Sequence, residues 1–169
     1  EQSHSTSLLP LKGRPKLYIE NVSSDVAEQY GDVVTTVEDA DIAILRLKTP
    51  YESRDSMFIE SFFHAGSLQF DDVEKERILS ILEKIPTVVD IYLDRPAVIP
   101  EIAEHCDALL ANFGASDTAV LDVIFGRFKP SATLPFELPS SMGAVRQQKP
   151  DVPFDSENPL FEYGFGLTY

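Results

Sequence analysis

Short runs of β-branched and other apolar residues recur along the chain, separated by segments with helical spacing of apolar positions. The third run, Ile42-Ala-Ile-Leu-Arg-Leu, is apolar almost throughout, which is typical of a strand covered on both faces. The runs are short and end at turn-forming or polar residues, as strands do. They predict five strands, at 16–20, 33–37, 42–47, 87–93 and 108–111.

Two of the intervening segments carry an N-cap and an apolar stripe. Asp71 is placed to cap a helix that Pro86 ends, and Ser116 is placed to cap a helix that Gly126 ends. The stripes predict which positions face the core: Ile78, Ile81, Leu82 and Ile85 in the first helix, and Val120, Leu121, Ile124 and Phe125 in the second. Shorter helices are predicted at 26–30 and at 100–105.

This alternation of strand and helix predicts an α/β fold, with a mostly parallel sheet sandwiched between helices in three layers. Residues 1–15 form a linker or arm in this interpretation, and residues 16–128 form the core. Prolines punctuate residues 129–169, so we expect an extended segment wrapped along the outside of the same domain. One short strand near 133–136 is a further candidate.

Length and net charge limit the classes of molecule that the chain is expected to bind. The 169 residues suit one domain, and the net charge of −14 disfavours both nucleic acid and anionic membrane surfaces. A neutral ligand such as a sugar is compatible with this charge. No run approaches 18 apolar residues, so no membrane-spanning helix is expected. The start of the sequence is neither basic nor apolar, so no signal peptide is recognised, and the compartment stays open.

Residues 48–70 form a long segment without clear periodicity, and it follows the third strand. Ligands of open parallel sheets bind beyond the carboxyl ends of the strands, so this loop is the candidate site. A carboxylate beside aromatic groups suits sugar chemistry. The alternative is an acidic surface loop without function. The candidate residues are Tyr51, Glu52, Arg54, Asp55, Glu60 and His64.

Three other features have simpler interpretations. The turn Asp94-Arg95-Pro96 is either an ion pair or a ligand contact at the same sheet edge. Gly114-Ala-Ser lacks the phosphate-binding patterns, so an ordinary turn is favoured. His105 beside Cys106 indicates local packing, and a single cysteine excludes an internal disulfide. The three histidines show no metal-ligand spacing, and we expect neither a metal nor a cofactor.

Five motifs in order resemble the second domain of family 3 glycoside hydrolases, over about residues 8–169. The last two are the most specific: Pro130-Ser-Ala-Thr-Leu-Pro-Phe-Glu-Leu-Pro and Pro159-Leu-Phe-Glu-Tyr-Gly-Phe-Gly-Leu-Thr-Tyr. The others begin at Asp39, Asp90 and Ala108. One departure is the turn Gly114-Ala-Ser-Asp-Thr, where the family often has G-x-E-G-G, so sugar binding by this turn is not carried over.

The resemblance implies a β-glucosidase-type retaining hydrolase of β-linked glycosides. In such enzymes an N-terminal (β/α)₈-type barrel supplies an Asp nucleophile, and the second domain lends a loop with the acid/base carboxylate. Glu52 is the first candidate for that carboxylate, Glu60 is its rival and Asp55 is weaker. Tyr51, Arg54, Asp55 and His64 are then candidates for substrate binding. The nucleophile is expected to lie outside these residues.

Two interpretations therefore compete. In the first, the chain is one half of a glycosidase, is inactive alone, and self-associates weakly through the surface that meets the barrel. In the second, it is a stand-alone α/β binding module of flavodoxin or response-regulator type, which the alternation of strand and helix alone supports.

Overall fold

A computed structural model describes residues 8–53, 59, 63–149 and 151–169. Within these residues one five-stranded sheet has the order β2-β1-β3-β4-β5, and every neighbouring pair is parallel. All five predicted strands are present, although the second is shorter than the predicted 33–37. The strands are β1 (Lys16–Glu20), β2 (Asp32–Val34), β3 (Ile42–Lys48), β4 (Thr87–Tyr92) and β5 (Ala108–Asn112).

The helices lie between the strands as predicted. The side chain of Asp71 accepts a hydrogen bond from the Glu74 N–H at 2.8 Å, and that of Ser116 accepts one from the Ala119 N–H at 3.3 Å. Both predicted N-caps are therefore confirmed. The helices are α1 (Ser24–Ala27), α2 (Asp72–Leu82), α3 (Pro100–His105), α4 (Asp117–Ile124) and α5 (Met142–Gln147), with a 3₁₀ turn at Val37–Asp39.

Side chains alternate across the sheet and build two separate cores. In β3, Ala43, Leu45 and Leu47 pack with α2 and α3 on one face. Ile42 and Ile44 pack with α1 and α4 on the other face. Because both faces are covered, the predicted three-layer α/β/α sandwich is confirmed.

The C-terminal segment lies over the α2 and α3 side of the sheet. Leu134 and Leu138 are buried in that core, and Leu138 forms an isolated antiparallel bridge with Phe161. The candidate strand near 133–136 is wrong, since residues 131–137 carry no strand pairing. Proline has no N–H to donate to a ladder, and Pro135 lies within this stretch. Helix α5 was not predicted.

A buried carboxylate lies on the α4 face of the sheet near its carboxyl edge. The Asp90 side chain is 1% exposed. It accepts hydrogen bonds from Arg46 Nε at 2.7 Å and from Asn112 Nδ2 at 3.0 Å to each oxygen. Burial raises the pKa of Asp90, and the hydrogen bonds from Arg46 and Asn112 oppose that rise. Three neighbouring strands, β3, β4 and β5, thus meet at one carboxylate.

The same polar cluster fixes the turn from β5 into α4. Arg46 also binds the Asp117 carboxylate and donates to the Ala115 carbonyl at 2.9 Å. Asn112 Oδ1 accepts from the N–H groups of Gly114 and Ala115 at 3.0 and 3.1 Å. The carboxyl edge is therefore held by charged hydrogen bonds as well as by the apolar cores.

We predict that Arg46→Met destabilises the chain by about 3–5 kcal/mol, the usual cost of leaving one member of a buried ion pair uncompensated. The free energy of unfolding is measured in urea by far-UV circular dichroism, because the chain has no tryptophan. The double variant Arg46→Met/Asp90→Leu should recover more than half of the loss. Equal destabilisation of single and double variants would contradict the argument.

Candidate active-site loop

The loop after β3 is closed at its base by backbone pairing. The Glu52 N–H donates to the Ala65 carbonyl at 2.9 Å, which makes an antiparallel bridge between these residues. We call residues 49–52 and 65–68 the two feet of the loop. The feet lie at the carboxyl edge of the sheet, where ligands of open parallel sheets bind.

Glu52 lies on one foot with its side chain against the other. Its Oε1 accepts from the Ser67 N–H at 3.0 Å, and the residue is exposed. Gly66 has φ of +79°, and a Cβ there would lie 2.3 Å from Glu52 Cδ. Gly66 is therefore required both for its left-handed backbone and for the space that the Glu52 side chain fills.

Tyr51 and His64 form a stacked pair beside Glu52. Their ring centroids are 3.7 Å apart with an interplanar angle of 6°. His64 Nδ1 contacts the carboxylate of Asp94, and these two side chains keep 40% and 24% exposure. Tyr51 is 51% exposed. The base of the loop thus presents an exposed carboxylate next to an exposed aromatic ring.

Three of the six candidates from sequence are brought together at this base, namely Tyr51, Glu52 and His64. Arg54, Asp55 and Glu60 lie outside the described residues. Their assignment as substrate-binding residues or as the rival acid/base group stays a prediction.

The turn after β4 holds both feet of the loop. Arg95 donates to the carbonyl of Pro50 on the first foot, and to those of Ser67 at 2.7 Å and Gly66 at 3.3 Å on the second. The Thr49 hydroxyl in turn donates to the Tyr92 and Arg95 carbonyls at 3.0 and 3.1 Å. The sequence allowed an ion pair between Asp94 and Arg95. In the structure each of these side chains binds the loop instead.

The turn after β5 is an ordinary helix start. The N–H groups of Gly114 and Ala115 donate to Asn112 Oδ1 at 3.0 and 3.1 Å, and the Asp117 carboxylate pairs with Arg46. Because these N–H groups are already paired, the structural interpretation of Gly114-Ala-Ser is favoured over anion binding.

The cleft that borders the second foot is too small to enclose a sugar. It has a volume of about 120 Å³ and reaches from Gln69 and Phe70 to α3. Small-molecule sites usually have about 300–1,000 Å³. None of the residues that line this cleft belongs to the two feet.

The described residues show neither a metal-ion cluster nor a membrane-spanning helix. No group of three or more His, Cys, Asp or Glu side chains among the described residues has an arrangement that could hold a metal ion. None of the helices described is long and apolar enough to cross a membrane.

His105 and Cys106 do not form a reactive pair. His105 Nδ1 contacts the Glu101 carbonyl at 2.7 Å, and Cys106 is half-buried against the α2 and α3 core. Burial raises the pKa of the Cys106 thiol to about 11. Little thiolate exists at neutral pH, which agrees with the packing role predicted from sequence.

The sequence profile of the Glycosyl hydrolase family 3 C-terminal domain matches residues 5–169. The chain belongs to this family. The resemblance seen in its motifs is therefore confirmed, and the family match favours the glycosidase interpretation over a stand-alone binding module.

Curated relatives agree over nearly the whole chain. Beta-glucosidase C of Emericella nidulans is 50% identical over 99% of the chain, and the periplasmic beta-glucosidase/beta-xylosidase of Dickeya chrysanthemi is 40% identical over 98%. The chain spans only 28% and 26% of the lengths of these two proteins.

Solved structures agree with the fold. Beta-glucosidase 3B of Thermotoga neapolitana, in complex with alpha-D-glucose, superposes with a TM-score of 0.70 at 15% identity, over 95% of this chain and 35% of that one. The beta-glucosidase of Listeria innocua, in complex with isofagomine, gives 0.69 at 19%, over 97% and 31%. At these identities the likeness shows the α/β sandwich alone.

We predict that Cys106 in the folded chain reacts with iodoacetamide at pH 8 more than tenfold more slowly than in the urea-unfolded chain. The raised pKa removes thiolate, and burial restricts access. Mass spectrometry of the single thiol measures the rate. Equal rates in the two states would contradict the buried, inert thiol.

Proposed function

We propose that this chain is the second domain of a retaining β-glycosidase and lends the acid/base carboxylate to an active site that a barrel domain completes. The observation that carries the proposal is the exposed carboxylate of Glu52, fixed between the two feet of the loop at the carboxyl edge of the sheet.

The geometry of the base suits sugar binding from one side. The exposed Tyr51 ring offers an apolar face, and aromatic faces with a few polar groups are the usual lining of ligand sites. Both Tyr51 and Glu52 are exposed, which leaves this base open to contact by a second domain. Retention of configuration needs two carboxyl groups about 5–5.5 Å apart, and the proposal places the nucleophile on the barrel.

Glu52 is the first candidate for the acid/base role, and Glu60 remains its rival. One oxygen of Glu52 accepts from the Ser67 N–H, which leaves the other oxygen available for a proton. Covering this base by the barrel would exclude water and favour the neutral acid. The acid then protonates the leaving oxygen as the glycosyl–enzyme bond forms, and its carboxylate afterwards takes a proton from the attacking water.

The proposed substrates are β-linked glycosides of glucose or xylose, because relatives at 40–50% identity are named for these activities. No cofactor is part of the proposal. The proposed partner is the barrel domain of the same enzyme, and the weak self-association expected from sequence stays a prediction. The exposed aromatic residues Phe113, Phe154 and Tyr163 are consistent with such association.

We predict that the isolated 169-residue chain does not hydrolyse nitrophenyl β-glucoside. Without the nucleophile from a barrel no glycosyl–enzyme intermediate forms. Release of nitrophenol is followed with rigorously purified chain, and the full-length enzyme serves as the positive control. Turnover by the chain alone would overturn the shared active site.

We predict that Glu52→Ala in the full-length enzyme slows disaccharide hydrolysis by about 100-fold or more, the range of general acid catalysis, and leaves kcat/KM for dinitrophenyl glycosides near wild type. Their kcat should fall, because the second step loses its general base. Dinitrophenolate leaves without protonation, so its first step needs no acid. Azide should restore turnover by attacking the trapped intermediate.

Two matched variants decide the assignment. Glu104→Ala, an exposed glutamate on α3, should behave as wild type. Wild-type-like rates for Glu52→Ala together with azide-rescued loss for Glu60→Ala would move the acid/base role to Glu60. No leaving-group dependence in either variant would refute the role of the loop.

A further inference from the structure

We propose that Arg95 is a positioning residue that holds the acid/base carboxylate in place by clamping both feet of its loop. The inference rests on the proposed function of the loop. The guanidinium of Arg95 donates to backbone carbonyls on both feet, at Pro50, Gly66 and Ser67.

These contacts join chain segments that are distant in sequence. Arg95 is 45 residues from Pro50 and 28 residues from Ser67. Because all three acceptors are carbonyls, the contacts do not depend on which side chains the loop carries. A planar fork of N–H donors can reach several carbonyls at once, whereas an ammonium is a single point of charge. The arrangement therefore specifies arginine.

A direct chain of hydrogen bonds leads from Arg95 to the Glu52 carboxylate. Arg95 holds the Ser67 carbonyl, and the Ser67 N–H donates to Glu52 Oε1 at 3.0 Å. On the other foot, Arg95 holds the Pro50 carbonyl two residues before Glu52. The backbone and the side chain of Glu52 are thus both fixed relative to β4.

The position of the Arg95 side chain leaves one of its buried donors unpaired, which costs folding free energy. Arg95 Nε is buried and has no hydrogen-bond partner among the described residues, and an unsatisfied buried donor opposes folding. The position of this side chain is therefore dictated by the carbonyls of the feet. General acid catalysis requires the proton donor within hydrogen-bond reach of the leaving oxygen. If the feet lose the Arg95 contacts, protonation of the leaving oxygen should therefore slow more than substrate binding does.

The chain offers a matched control at the opposite edge of the sheet. Arg14 donates to the carbonyls of Glu28 and Gly31 at 2.9 and 3.1 Å, and it also binds Asp32 at the start of β2. It has the same donor chemistry as Arg95 and no contact with the loop feet. Arg14→Ala therefore reports the effect of removing a carbonyl-binding arginine elsewhere in the domain.

The kinetic experiment compares Arg95→Ala with Arg14→Ala in the full-length enzyme. We measure kcat/KM for dinitrophenyl and phenyl β-glycosides and take the ratio of the two. Loss of acid catalysis slows only the poor leaving group, so the ratio should rise at least tenfold in Arg95→Ala and stay within about twofold of wild type in Arg14→Ala. Arg95→Lys should fall between wild type and Arg95→Ala.

A structural measurement on the 169-residue chain accompanies the kinetics. Amide hydrogen exchange of Glu52 and Ser67, whose N–H groups bridge the feet, should become at least tenfold faster in Arg95→Ala. The Phe125 N–H, which donates to the Leu121 carbonyl in α4 and lies outside the feet, serves as the internal reference. If Arg95→Ala does not fold, the same two measurements on Arg95→Lys decide.

An unchanged leaving-group ratio in Arg95→Ala overturns the inference, whether or not exchange at the feet becomes faster. This result differs from failure of the proposed function, in which neither Glu52→Ala nor Glu60→Ala raises the ratio. In that case the loop carries no acid/base group, and the inference about Arg95 falls with it.

Discussion

The carboxyl edge of the sheet depends on one buried charge. A carboxylate taken out of water is costly unless it is paired and fully hydrogen-bonded, and Asp90 is 1% exposed on strand β4, which lies between β3 and β5. Its partners Arg46 and Asn112 come from the strands on either side. Slippage of either neighbouring strand would remove one of the two partners of Asp90. The buried charge therefore fixes the relative positions of the three strands from which the candidate site is built.

Strand β4 connects the hydrogen bonds of Asp90 to those that hold the loop. Asp90 faces α4, and the residues that follow the strand face the loop, where Asp94 binds His64 and Arg95 binds the two feet. A catalytic loop on a parallel sheet needs a rigid scaffold, because the loop itself has few backbone partners. In this fold the scaffold is continuous from the Asp90 carboxylate to Glu52.

Apolar periodicity and helix caps predicted most of the fold. A strand buried on both faces must be apolar nearly throughout, and such a run is visible in the sequence. The β3 run and the Asp71 and Ser116 caps are examples. The unpredicted helix α5 is short and contains Gly143, so it has weak helical propensity. The contacts of Arg95 could not be predicted, because its acceptors are backbone carbonyls that no residue type marks. The loop was predicted as the site from its length and position, but the role of Gly66 follows only from where Glu52 packs.

The clamp also bears on which glutamate is the acid. Arg95 reaches the Glu52 carboxylate through the single residue Ser67, so removing the guanidinium acts directly on the proposed acid/base group. Glu60 lies eight positions further along the sequence, outside the described residues. A displacement of about 1 Å at a catalytic group can cost about 100-fold in rate. A large, leaving-group-dependent effect at Arg95 therefore favours Glu52, whereas an effect much smaller than that of removing the acid itself favours Glu60.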